Sequence, residues 1–163
     1  RAFERDRQPL ACVDPGTRAR AFATDTVALA QRVTDSAAAT LVARTARLTT
    51  QAQANLKRVR DAGIPVALGT DAGNPLTLHG ASVFMELEAM QAAGLTPLEV
   101  LVAATRNAAR AMGLDSTGTV AAGATADLVV LDADPLADVR NLRRIALVVR
   151  RGEIYTRREL EYR

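Results

Sequence analysis

The sequence predicts an α/β protein made of two dissimilar stretches that meet near residue 113. Three observations point there. Residues 50–112 carry repeated helix start and stop signals around one short apolar run, Ile64-Pro65-Val66-Ala67-Leu68. That run is β-branched at Ile64 and Val66 and reads as a strand buried on both faces, the kind found in parallel sheets covered by helices. After residue 113 the pattern turns to short β runs separated by glycine and proline turns.

The elements follow in order. Residues 9–16, with two prolines and a glycine, read as a loop. Residues 17–48 read as one or two helices with a break near Thr34-Asp35-Ser36. A clearer helix is expected from Thr50 to Ala62, with Ala52, Leu56 and Val59 on one face and Gly63 at the left-handed C′ position. The strand 64–68 comes next, with Pro65 tolerated near its start. Gly69-Thr70-Asp71-Ala72-Gly73-Asn74-Pro75 is a loop at its C-terminal end. A helix is expected from His79 to Ala93, with Val83, Leu87 and Met90 on one face. Thr96-Pro97-Leu98-Glu99 is a capping box with proline at N1, and Leu95 and Val100 are placed as a hydrophobic staple. That helix runs through Thr105, and Asn107 is expected to start a short extra helix ending at Gly113. Gly118-Thr119-Val120 and Asp127–Asp132 read as strands. Ile145–Val149 and Glu153–Tyr155 flank Arg151-Gly152 as a hairpin.

Composition bounds what such a chain can do. It has 163 residues, 48% hydrophobic and 24% charged, the composition of one globular domain or a domain with a small appendage. The apolar side chains are mostly Ala, Val and Leu, with no Trp, so each buries little area. A single buried parallel strand needs neighbours that this sequence does not contain. Both points, and a first residue that is Arg rather than Met, lead to the expectation of a piece of a larger protein.

Net charge is +3. Residues 1–60 carry eleven basic and five acidic side chains. Such a stretch could meet nucleic acid or form a solvated helix surface. The arginines are spread out with no aromatic interleaving, which favours the solvated surface. No nucleic-acid partner and no membrane partner are expected. No apolar run approaches the length of a span, and no signal peptide is visible. A cytoplasmic location is the expectation.

One cysteine, Cys12, excludes an internal disulfide and a cysteine-built zinc site. One histidine, His79, excludes a histidine cluster, whereas a catalytic zinc usually takes three protein ligands. Asp71 is the first candidate for chemistry. It follows a buried strand, where parallel α/β architectures gather functional groups, and Gly69, Ala72 and Gly73 leave room for a ligand. A turn aspartate bonded to nearby amides is the other reading. His79, eight residues on, could border the same pocket or be a capping or surface residue. The loop 69–73 is not a phosphate loop, because it lacks the Gly-Lys-Ser/Thr ending. Asp132, Asp134 and Asp138 are spaced for a turn, not a calcium loop.

The order of motifs carries more than any one of them. Ala-Gly-Ile-Pro-Val-Ala-Leu-Gly-Thr-Asp-Ala-Gly (62–73) resembles the last barrel strand of the metal-dependent amidohydrolase superfamily. The helix with Glu-Leu-Glu-Ala-Met (86–90) follows as in that family, as do residues 93–114 and 118–136. The match runs in order over residues 50–160. Residues 1–49 resemble the variable helical segment of the imidazolonepropionase- and prolidase-like branch.

The resemblance implies the C-terminal fragment of a (β/α)8 barrel followed by part of a small β-sandwich domain. It places the end of the barrel at 1–113, with one barrel strand near 64–69, and part of the small β domain at 114–163. It implies one or two divalent metals, zinc foremost, and hydrolysis of amide, cyclic amide or amidine C–N bonds in a small-molecule substrate. Asp71 matches the family aspartate that touches the metal and takes a proton from the attacking water. Thr70, Asn74 and His79 would line the site. The family's His-x-His pair, bridging lysine and two later histidines have no counterpart here. The isolated chain is therefore expected to hold little or no metal and to be inactive. A stand-alone, non-catalytic β-module with a helical arm that binds a protein partner is the alternative. A homo-oligomer is compatible with either.

Overall fold

The computed structural model describes residues 35–73 and 77–160. The loop expected at 9–16 and the helical stretch before residue 35 lie outside the described residues, as do Asn74 and Pro75. The described chain is α/β with a small antiparallel sheet. It divides into two compact units. One comprises residues 53–70 and 83–163 as far as described, the other the described residues within 1–52 and 71–82.

Helix α1 runs unbroken over Asp35–Asp61. The helices read separately at 17–48 and 50–62 are continuous from Asp35, because Leu48-Thr49-Thr50-Gln51 contains neither glycine nor proline to break them. Gly63 closes α1 with φ +71°. Its amide donates to Arg60 O at 2.9 Å, and the Ile64 amide donates to Val59 O at 3.2 Å, the paired bonds of a Schellman motif. Helix α2 covers Ala81–Ala92 and ends on Gly94 and Leu95 with the same two bonds. It begins two residues after His79, which instead forms a turn with Gly80.

Helix α3, Pro97–Val102, has the expected capping box. Thr96 Oγ1 accepts from the Glu99 amide at 3.3 Å, and Glu99 Oε2 accepts from the Thr96 amide at 2.7 Å. The short helix expected from Asn107 is α4, Ala108–Ala111, with Asn107 at its N-cap position; the chain reaches it from α3 through a π turn, Ala103–Asn107, with helical backbone throughout. Thr105 Oγ1 donates to Leu101 O at 2.7 Å, the carbonyl its own amide would use in an α-helix.

Strands β1 (Leu128–Leu131), β2 (Ile145–Arg150) and β3 (Glu153–Thr156) form the sheet in the order β1-β2-β3, both pairings antiparallel. Arg151 and Gly152 make the hairpin, both at positive φ, as a type I′ turn requires. The Arg151 amide donates to Asp127 Oδ1 at 2.7 Å. One expectation fails: residues 118–120 form no strand. Residues 64–68 pair with no strand among the described residues. A strand exists through its neighbour, and the run 64–68 meets a helix instead. A short helix α5, Arg157–Leu160, follows β3.

The core lies in the unit that contains the sheet. Leu87 and Met90 of α2, Leu95 ahead of α3, Val100 of α3, Ala103 of the π turn and Val139 are its buried members. Leu95 and Val100 are the staple pair. Val66, Leu68, Leu56, Phe84 and Leu142 pack around them. Val139 opens a 3-10 turn, Val139–Arg143, that is fastened to α2. Its amide donates to Gln91 Oε1 at 3.2 Å. Arg143 pairs with Glu88 at 2.8 Å and lies 5.0 Å from the Phe84 ring centre.

Some apolar surface remains uncovered. Val83, expected on the inner face of α2, is 36% exposed, and Met85 is exposed as well. The apolar side chains of α2, Val83, Phe84, Met85, Leu87 and Met90, are spread over several of its sides, the pattern of a helix buried on more than one side. The sheet is apolar on both faces. Leu128, Val130, Leu147, Val149 and Ile154 share one face, and Val129, Val148 and Tyr155 the other. No residue of the three strands is fully buried.

Candidate active site

The candidate site is the loop between the extended segment 64–70 and α2. Val66, Leu68 and Thr70 are half-buried, while Ala67, Gly69 and Asp71 are exposed. This period of two is that of an extended chain lying on a core. Two backbone groups of the segment bond to the π turn. Asn107 Nδ2 donates to Val66 O at 2.8 Å, and the Leu68 amide donates to Ala103 O at 3.1 Å.

Asp71 ends the segment at φ +50°. Aspartate tolerates this left-handed region better than most residues, and a non-glycine residue held there is a pointer to function. Beyond it the Gly73 amide donates to Thr77 O at 3.1 Å. The amides of Ala81 and Ser82 donate to His79 O and Leu78 O at 3.0 and 3.1 Å, which opens α2. His79 is exposed in that turn. Asp71 and His79 thus border one loop of one unit, with Thr70 joined covalently before them. Asn74 lies outside the described residues.

Among the described residues no group of three or more His, Cys, Asp or Glu side chains is placed to hold a metal ion. Asp71 and His79 are two donors, short of the three protein ligands of a catalytic zinc. The described donors do not fit a metal site by themselves, and no chemical step is routed through one.

Sequence reasoning missed Asn107 and the π turn. Asparagine is a poor interior helix residue, so Asn107 in the middle of a helical run is the available signal of a tertiary partner. The π turn itself leaves no periodic trace. It also missed the Arg143–Glu88 pair, which joins residues 55 positions apart.

Comparison with known proteins adds the following. The sequence profile of the amidohydrolase family matches residues 12–155. Ochratoxinase of Aspergillus niger is 37% identical over 101 residues, covering 58% of this chain and 20% of the relative. An imidazolonepropionase of Thermoplasma acidophilum is 35% identical over 108 residues, covering 64% of this chain and 26% of the relative. The solved structure of a bottromycin amidohydrolase superposes with a TM-score of 0.66 at 26% identity. It covers 95% of this chain and 34% of that one. The chain therefore spans about a fifth to a third of the length of the proteins it matches.

Proposed function

Because the chain belongs to the amidohydrolase family, we propose that it is the C-terminal portion of a metal-dependent hydrolase cleaving amide, cyclic amide or amidine C–N bonds. In this reading residues 1–113 close a (β/α)8 barrel, with 64–69 as its last strand, and 114–163 form part of a small β domain. The apolar side chains on several sides of α2 and on both faces of the sheet support it, since both suit elements packed on more than one side.

The observation that carries the reading is an order. The matched residues 12–155 include the extended segment, Asp71 and α2 in turn, and this order supports reading Asp71 as the family's aspartate. Its role is that of proton acceptor. Water attacks the carbonyl carbon, Asp71 takes the proton, the C–N bond breaks, and Asp71 passes the proton to the leaving nitrogen. Asp71 would also offer its carboxylate to a divalent metal. Thr70 and His79 would line the approach. The isolated chain, without the remaining ligands, is inactive.

The test is steady-state kinetics on the full-length protein carrying this chain, assayed with Xaa-Pro dipeptides, N-acyl amino acids and cyclic amides. Asp71→Asn keeps size and removes the base. It should lower kcat by roughly a hundred- to ten-thousand-fold with KM little changed and metal content retained. His79→Asn should do less. Near wild-type turnover in metal-replete Asp71→Asn would return Asp71 to a loop-capping role.

A further inference from the structure

Residues 64–70 must be held in one register for Asp71 to be presented, and the sheet does not hold them. In an extended chain, a slip of one residue exchanges the inward and outward sets. Here it would turn Ala67 and Gly69 towards the core and Val66, Leu68 and Thr70 away. Apolar packing resists a one-residue slip. It discriminates poorly against a slip of two, because Ile64, Val66 and Leu68 are all apolar. A directional bond does discriminate.

The π turn supplies it. Val66 O and Leu68 N point to the same side of the segment, and both meet the π turn, through Asn107 Nδ2 and Ala103 O. A carbonyl cannot donate, so the amide edge facing Val66 O is the NH2. The side chain of Asn107 caps nothing in its own helix. The turn is itself braced from another direction. A β-carbon on Gly118 would lie 2.8 Å from Thr105 O, 2.8 Å from Ala109 Cβ and 3.0 Å from Arg106 Cα. Gly118, at φ +82°, thus fits its backbone directly against the π turn.

We propose that Asn107 is a positioning residue for Asp71. Its bond to Val66 O, with Ala103 O beside it, sets the register of the segment that ends in that carboxylate. The proposal rests on the reading of Asp71 as proton acceptor.

The test uses the full-length, metal-loaded protein and the variant Asn107→Leu, which keeps the bulk and removes the donor. Hydrogen exchange at the Leu68 amide should quicken about tenfold, the scale of one lost hydrogen bond, while the amides of β2 keep their rates. With the panel compound that the wild type hydrolyses best, kcat should fall by ~10- to 100-fold, as for a misplaced catalytic group, and KM should hold. In an Asp71→Asn background the same substitution should cost little more, because the two act on one step. Unchanged exchange at Leu68, or a full additional loss of kcat in the Asp71→Asn background, overturns the proposal. If Asp71→Asn alone keeps wild-type turnover, the reading of Asp71 falls and the assigned role of Asn107 falls with it, even with Leu68 exchange quickened. Should Asn107→Leu fail to fold, Asn107→Asp serves. Its protonated carboxyl can donate to Val66 O and its carboxylate cannot, so protection at Leu68 should return as pH falls. Protection indifferent to pH counts against the bond.

Discussion

Glu86 sits half-buried on α2 with no hydrogen-bond or ion-pair partner among the described residues. Burial raises its pKa, since desolvation disfavours the charged form. An acid whose folded pKa exceeds its unfolded value binds more protons when folded. Stability is then greatest below the unfolded value of about 4.3 and falls as pH rises through the raised folded one. Glu86→Gln should remove that slope and stabilise the protein on its alkaline side. Denaturation midpoints of both proteins, followed from about pH 4 upwards, check this; curves that stay parallel refute it. Glu99 shows the opposite case. Hydrogen bonds from the Thr96 amide and hydroxyl lower its pKa, so the help it gives the folded state is lost as pH falls through that lowered value. Residue chemistry of this local kind is legible in a sequence. Asp71 stood out because it follows an apolar run and has small neighbours. Asn107 did not, because its partner is 41 residues away and an asparagine looks alike whether it meets water or a carbonyl.

Among elements, those specified by adjacent residues were readable and those specified by a neighbour were not. The box Thr96–Glu99, the staple Leu95–Val100 and the hairpin turn Arg151-Gly152 are written within six residues or fewer, and all three are found. A second local signal, Thr156 bonded through its amide and hydroxyl to Glu159 Oε2 at 2.7 and 2.6 Å, went unread, and so did α5 behind it. The run 64–68 has the composition of a buried strand, but pairing is a property of what lies beside it. Thr96→Ala should lower stability by about 1 kcal/mol, the usual cost of a lost N-cap, and leave turnover unchanged. Thermal midpoints with parallel kinetics decide it; no change in midpoint would mean that Arg60, which donates to Gly94 O at 2.6 Å and lies 3.8 Å from Glu99, suffices to hold this junction.

At the scale of the molecule, exposed apolar surface governs behaviour. Val129 is 55% and Ile154 62% exposed on opposite faces of one sheet, beyond what scattered surface residues need explain. The isolated 163-residue chain should therefore self-associate, bind a dye that reports apolar surface, and retain no stoichiometric zinc after dialysis. A dye-silent monomer with a cooperative melt would contradict the first two, and bound zinc the third. The bond between Asn107 and Val66 has a further consequence, in time rather than in space. The turn Arg151-Gly152 joins its strands across two residues, and hairpins of that kind close in about 1–10 μs. Val66 and Asn107 must close a loop of 41 residues, and the entropy of closure rises with length. The β2–β3 hairpin accordingly forms early, and the segment leading to Asp71 docks late. Pulse-labelling during refolding of the full-length protein should show the β2 amides protected before that of Leu68; the reverse order would refute the sequence of events. The candidate catalytic carboxylate is then among the last groups to reach its place, so a chain arrested late in folding would already own its hairpin and still have no site.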